Sequence, residues 1–163
     1  GRSAHGVKAI TLREDDVVVS MARERAGASL LTVTENGYGR RSELEQYRIQ
    51  NRGGYGLQNY KVDAERGMVC GIKVVDETDD ILLISTDGIV IRVYCADIRL
   101  MGRTAKGVRI MRVTNENQVV AFSRTEHDET EACSQIEETA EDAVETAPED
   151  PTDLPETTEE TNE

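Results

Sequence analysis

The chain has 163 residues, with 19 Lys and Arg against 32 Asp and Glu and a formal net charge of -13. The charge is segregated: all 19 bases lie in residues 1–124 beside 16 acids, whereas residues 125–163 hold the other 16 acids and no base, so a mildly basic body precedes a strongly acidic tail. No stretch has the length and apolarity of a membrane span and no charged-then-apolar leader precedes the body, so a cytoplasmic protein with no membrane partner is expected, and Cys70, Cys95 and Cys133 stand too far apart for a zinc knuckle or redox pair.

The first element is a phrase rather than a strand. Residues 1–7 read GRSAHGV, and the phrase returns as NRGGYGL at 51–57 and as GRTAKGV at 102–108, a period of 50 to 51 residues. Arg2, Arg52 and Arg103 share one column and Gly6, Gly56 and Gly107 another, with Val7, Leu57 and Val108 following. A repeat of that length, built from strand and turn signals, belongs to stacked or radial arrays in which each unit is a small sheet leaning on the next.

Along the first unit, Val17-Val18-Val19 leads through Met21, and residues 30–34 run into Asn36-Gly37 and out over 38–41. In the second, residues 68–75 precede an acidic run at 76–80, and residues 81–85 then enter Asp87-Gly88 and leave over 89–94. Asn-Gly and Asp-Gly between apolar runs predict two-residue hairpins, whose type I′ turn needs positive φ at both central residues. The third unit offers strands at 109–113 and 119–123, separated by Asn115-Glu116-Asn117. No long helical period interrupts residues 1–124 and no proline lies there, so an all-β body with about four short strands per repeat is expected.

The predicted organisation is a body at 1–125, with units 1–50, 51–101 and a partial 102–125, followed by a tail at 126–163. The tail carries all three prolines and few apolar side chains beyond Ile136. It cannot offset the entropy of ordering, and disorder is expected there. Because the chain begins inside a phrase and such arrays need about three units to bury their faces, further units are expected before residue 1. Marginal stability follows for this segment alone, and the acidic end reads as a natural C-terminus.

Positive charge marks candidate contacts. Arg40 and Arg41 follow the first hairpin turn, Arg48 and Arg52 flank the second phrase, and Lys106, Arg109 and Arg112 cluster at the third. Arg109 and Arg112 cannot both face one side of a flat strand, because their spacing is odd. Glycines at 53, 54 and 56 let a loop adopt unusual backbone angles, and arginine pairs with phosphate oxygens in a forked geometry. The phrase therefore suits a phosphate rail. Equally, its glycines could serve the turn between units while its arginine bonds a neighbouring carbonyl or carboxylate.

Catalytic signals are absent. Tyr38, Tyr47, Tyr55, Tyr60 and Tyr94 stand in strand and turn contexts without a neighbouring base, and His5 and His127 are isolated from each other and from any cysteine pair. The acidic run at 76–80 lacks the glycine and spacing of a calcium loop.

The run NGYGRRSELEQYRIQNRGGYGL at 36–57 closely resembles the C-terminal domain of the A-type subunit of bacterial DNA gyrase. The stretch from Leu83 through Gly88 and Arg92 to GRTAKGVRIMRV is similar to the next blade of that domain. The resemblance covers residues 1–124 and implies a β-pinwheel, a propeller-like disc of about six blades joined by strands exchanged between neighbours. This chain would supply the last two to three.

The function implied is DNA binding and wrapping within the A-type subunit of an ATP-dependent type II topoisomerase that negatively supercoils DNA. The implied partners are double-stranded DNA, the rest of the A-type subunit, and the ATPase (B-type) subunit in an A2B2 complex associated with the nucleoid. No cofactor is implied in this segment, since ATP and Mg2+ belong to other parts of the holoenzyme. The DNA-cleaving tyrosine of the family likewise lies elsewhere in its parent polypeptide. Contacts to DNA are implied at Arg2, Arg40, Arg41, Arg48, Arg52, Gly53, Gly54, Gly56, Arg92, Arg103, Lys106 and Arg109.

The family's box is a Gln-Arg-Arg-Gly-Gly-Lys-Gly heptad. After Gln50, the residues Asn51-Arg52-Gly53-Gly54-Tyr55-Gly56 keep the Arg-Gly-Gly and the last Gly, but Asn51 is uncharged and Tyr55 replaces the lysine. All three copies read as degenerate, and the authentic box is expected upstream. The acidic tail, tethered beside a basic rim, is suited to compete with DNA for the same arginines, and equally to serve only solubility or as a passive remnant. Two alternatives stand beside this reading: the equivalent domain of the topoisomerase IV A-type subunit, whose phrases are more degraded, and a kelch-like protein-interaction propeller, which predicts aromatic marks in each blade, whereas this chain has no Trp.

Overall fold

The structure, a computed structural model, describes residues 2–114 and 116–127; all of the acidic tail beyond residue 127 lies outside the described residues. Among the described residues, seven strands form two antiparallel sheets. β1 (Ser29–Thr34), β2 (Tyr38–Glu43), β3 (Val69–Val75) and β6 (Val108–Arg109) assemble in the order β3-β1-β2-β6. β4 (Asp79–Ser85), β5 (Val90–Tyr94) and β7 (Val119–Glu126) assemble as β5-β4-β7. Short 3-10 turns follow β2 at Leu44–Gln46 and β5 at Cys95–Asp97, features that periodicity does not announce.

The repeat governs the pairing. β4, β5 and β7 stand 50 to 52 residues after β1, β2 and β3 by their first residues. The hairpin β1–β2 belongs to the first unit, yet the strand on the other edge of β1 comes from the second; β4–β5 likewise receives β7 from the third. Each sheet therefore joins consecutive units through backbone hydrogen bonds, and the first also takes β6 from the third unit.

β1 is buried at all six positions because it lies between two strands. Its polar residues are satisfied: Ser29 Oγ donates to the Val75 carbonyl at 3.2 Å, and Thr32 Oγ1 accepts from Asn59 Nδ2 at 2.9 Å. Leu31 and Val33 join Val75, Ile81, Leu83, Val119 and Phe122 in one continuous apolar cluster drawing on both sheets. Each such side chain contributes about 1.5–3 kcal/mol of burial.

Three strand-level expectations change. First, both hairpin loops have three residues rather than two. Gly37 N donates to Thr34 O at 3.0 Å, and Gly88 N to Ser85 O at 3.0 Å. Only the glycines take positive φ, at 79° and 81°, whereas Asn36 and Asp87 do not. This is the pattern of a turn followed by a left-handed glycine bulge. In the second loop the Ser85 hydroxyl and the Ile89 N–H hold the Asp87 carboxyl below its ordinary range.

Second, Val17-Val18-Val19 and Met21 form no strand and are exposed, Val17 at 74% and Met21 at 90%. Val18 stands 51 residues before Val69, so this stretch is the counterpart of β3. β3 pairs with the hairpin of the unit before it, and the corresponding edges of β1 and β4 are already occupied by β3 and β7.

Third, the strand expected at 109–113 shortens to β6. Beyond Arg109, the N–H groups of Ile110 and Met111 both turn onto Gly37 O, at 2.8 and 3.1 Å, and leave the ladder.

Candidate nucleic-acid interface

The third phrase is the most tightly built. Ala105 N closes a turn onto Gly102 O at 2.9 Å, and Gly107 takes φ 82° before the chain enters β6. Gln46 Oε1 accepts from the Arg103 backbone N–H at 2.6 Å, the Arg103 guanidinium donates to Gln58 O, and the Tyr60 hydroxyl donates to Lys106 O. Burial raises the Tyr60 hydroxyl pKa, which opposes ionisation. Lys106 itself is exposed.

Arg40 underpins this loop and is a correction to the sequence reading. It is only 1% exposed. Its Nη1 donates to Ala105 O at 2.6 Å, its Nη2 to the Asn59 carbonyl and to Asn59 Oδ1, and its Nε to Ser42 Oγ at 3.1 Å. The guanidinium lies 4.9 Å from the Tyr60 ring centroid, a cation–π distance. Arg41, 3% exposed, is also spent internally: Nε donates to Ile98 O at 2.7 Å and Nη2 meets Glu77 at 3.3 Å. Successive strand residues point to opposite faces, so each arginine is captured by a different loop. Neither offers its fork to a phosphate.

The second phrase is held from below by the first unit. Gly53 N donates to Ala9 O at 2.8 Å, Thr11 N to Gly54 O at 2.8 Å, and Thr11 Oγ1 to Gly53 O at 2.6 Å. Gly53 and Gly56 both take φ 79°. Around this base Arg48, Arg52 and Tyr55 are exposed. The first phrase places Arg2 and His5 in solvent, with Gly6 at φ 78°.

Arg109 is exposed but already engaged: its Nη2 donates to the Tyr38 hydroxyl at 2.5 Å, with the guanidinium 5.0 Å from the Tyr38 ring centroid. Arg92 is half-buried and pairs with Asp80 at 2.8 Å while donating to Glu126 O at 2.9 Å. The chosen arginines and lysine thus divide into exposed phrase positions at Arg2, Arg48, Arg52 and Lys106, partly engaged positions at Arg92, Arg103 and Arg109, and interior positions at Arg40 and Arg41.

Sequence reasoning passed over exposed bases that the repeat itself could have found. Lys8 follows the left-handed glycine of its phrase by two residues, as Arg109 does; Arg99 stands 51 residues after Arg48, and Lys61 stands 51 before Arg112. All six are exposed. Among the described residues no group of three or more His, Cys, Asp or Glu could hold a metal ion.

Comparison with known proteins converges on one family. The family described as DNA gyrase C-terminal domain, beta-propeller, matches residues 1–23, 28–76 and 79–126. The A-type subunit of DNA gyrase from Fibrobacter succinogenes is 47% identical over 109 residues, covering 67% of this chain and 12% of that protein. Its Streptomyces coelicolor counterpart is 37% identical over 151 residues, covering 90% and 18%. A solved DNA gyrase A C-terminal domain superposes with a TM-score of 0.56 at 32% identity, covering 59% of this chain and 33% of that one. The C-terminal domain of DNA topoisomerase IV gives 0.67 at 23% identity, covering 74% and 38%, a likeness of fold alone. The chain spans less than a fifth of the length of these two curated relatives.

Proposed function

Because this chain belongs to the DNA gyrase C-terminal domain family, we propose that its blades bind duplex DNA along the exposed phrase loops and help to bend it around the basic body. The observation that carries this reading is the recurrence of one glycine-rich, arginine-bearing loop in three units, with exposed bases at Arg2, Arg52 and Lys106, within a chain matched by that family. Such contacts position a duplex without reading its sequence. Binding is governed by counterion release and DNA deformability.

In this proposal the blades serve the A-type subunit of a type II topoisomerase that negatively supercoils DNA, acting beside the ATPase subunit in the bacterial cytoplasm. Cleavage, ATP and Mg2+ are assigned to other parts of that assembly. The test is topological. Nicked plasmid saturated with the complete A-type subunit and then sealed by ligase is expected to retain a linking-number shift of one sign after deproteination. Binding without such a shift would reduce the blades to simple DNA ligands, and no salt-sensitive binding at all would remove the reading.

A further inference from the structure

Four of the five tyrosines are occupied. Tyr38 accepts from Arg109 and lies near two guanidinium groups, and the Tyr47 hydroxyl meets Asn59 Oδ1 at 2.5 Å. Tyr60 donates to Lys106 O beneath Arg40, and Tyr94 stacks on His127 at 4.0 Å between ring centroids. Tyr55 has no hydrogen bond or ring contact among the described residues and is 70% exposed. An aromatic ring so placed gains nothing from burial within the described body.

Its setting is not a loose loop. The bonds from Ala9 and Thr11 fix the base of the second phrase at Gly53 and Gly54. Tyr55 stands between two glycines, which have no side chain to cover its ring. In the third phrase the same place, immediately before the left-handed glycine, is held by exposed Lys106. The place before the left-handed glycine thus presents an uncharged aromatic in the second unit and a cation in the third. Tyrosine loses little conformational freedom on contact, having only two side-chain torsions.

We infer that Tyr55 is an uncharged DNA anchor of the second phrase, packing its ring against a deoxyribose and donating its hydroxyl to a phosphate oxygen beside Arg52. This deepens the DNA-binding reading and rests on it. A neutral contact of this kind releases no counterion, so it adds affinity without adding to the salt dependence that Arg52 and Lys106 create.

The test is fluorescence anisotropy of the full chain with a labelled duplex across a potassium chloride titration. Tyr55→Ala is expected to weaken binding about five-fold at every salt concentration with an unchanged slope, and Tyr55→Phe to recover part of that loss. Tyr55→Lys is expected to steepen the log–log slope by about 0.9, the signature of one added phosphate contact. Arg52→Ala serves as the electrostatic control and should shallow the slope. Unchanged affinity in Tyr55→Ala alongside a shallower slope in Arg52→Ala would overturn the role of Tyr55 while leaving the DNA-binding reading standing. A wild-type chain that does not bind would overturn both, and circular dichroism of each variant identifies a loss caused by misfolding.

Discussion

The guanidinium of Arg40 donates to both the main-chain and the side-chain oxygen of Asn59. Asn59 in turn accepts from Tyr47 and donates to Thr32, so one arginine on β2 ties the core strand β1, the segment after the second phrase and the turn of the third phrase into a single polar node.

Removing that arginine strands several acceptors. Arg40→Met is expected to destabilise the chain by about 2–4 kcal/mol, because Ala105 O and Asn59 O lose a charged donor in a buried setting. Arg40→Lys should recover only part of this, since an ammonium cannot reproduce a planar fork. Urea unfolding of the three proteins provides the measurement; a lysine variant as stable as wild type would show that geometry at the node is unimportant.

Two equivalent turn glycines should respond unequally to alanine. A Cβ at Gly37 would collide with the Met111 carbonyl oxygen, while one at Gly88 meets nothing within 4 Å. Both sites have positive φ, which costs an alanine about 1–2 kcal/mol. Gly88→Ala should lose about that much and Gly37→Ala distinctly more, about 3 kcal/mol or above. Equal midpoints in denaturant would contradict the close approach of residues 110–111 to the first hairpin.

Basic residues should separate by salt response. Arg52→Ala and Lys106→Ala are each expected to reduce the slope of log binding constant against log salt by about 0.9. A substitution at buried Arg41, where a variant still folds, should leave the slope unchanged. A matching slope loss at Arg41 would mean that its bond to Ile98 O opens when DNA binds.

The buried thiol sets an alkaline limit. Burial, assisted by Asp79, pushes Cys95 from 9.0 to about 12, so the unfolded chain ionises first as pH rises. Its contribution to stability is full below pH 9 and declines from there as pH approaches 12. In a background with Cys70 and Cys133 changed to serine, Cys95 should react with a thiol reagent only as fast as the chain opens. Cys95→Ala should flatten the alkaline fall in unfolding midpoint. Rapid labelling of the folded chain would show that the site is accessible.

Much of the fold was legible because it repeats. The 50-to-51-residue period located both hairpins, and the runs around Leu31 and Leu83 correctly marked core strands. The turn type was not legible: Asn-Gly and Asp-Gly fit two-residue and three-residue loops alike, and the choice rests on the φ of Asn36 and Asp87. The exposure of the candidate bases was half legible. Phrase positions such as Arg52 and Lys106 are exposed as loops usually are, but Arg40 and Arg41 look identical to solvent-facing charges until the loops that supply their carbonyl acceptors are in place. Those acceptors, Ala105 O, Asn59 O and Ile98 O, come from 19 to 65 residues away, beyond the reach of local pattern.

The borrowing of β3 by the hairpin before it has a consequence for synthesis on the ribosome. A nascent chain that has emerged through Glu43 displays a complete hairpin but an open edge along β1. That edge closes only after Val75 has appeared, and β6 arrives with Arg109. Assembly of each blade therefore lags its own coding segment by more than half a repeat, and a pause or a break placed at a sequence-repeat boundary leaves a sheet unfinished.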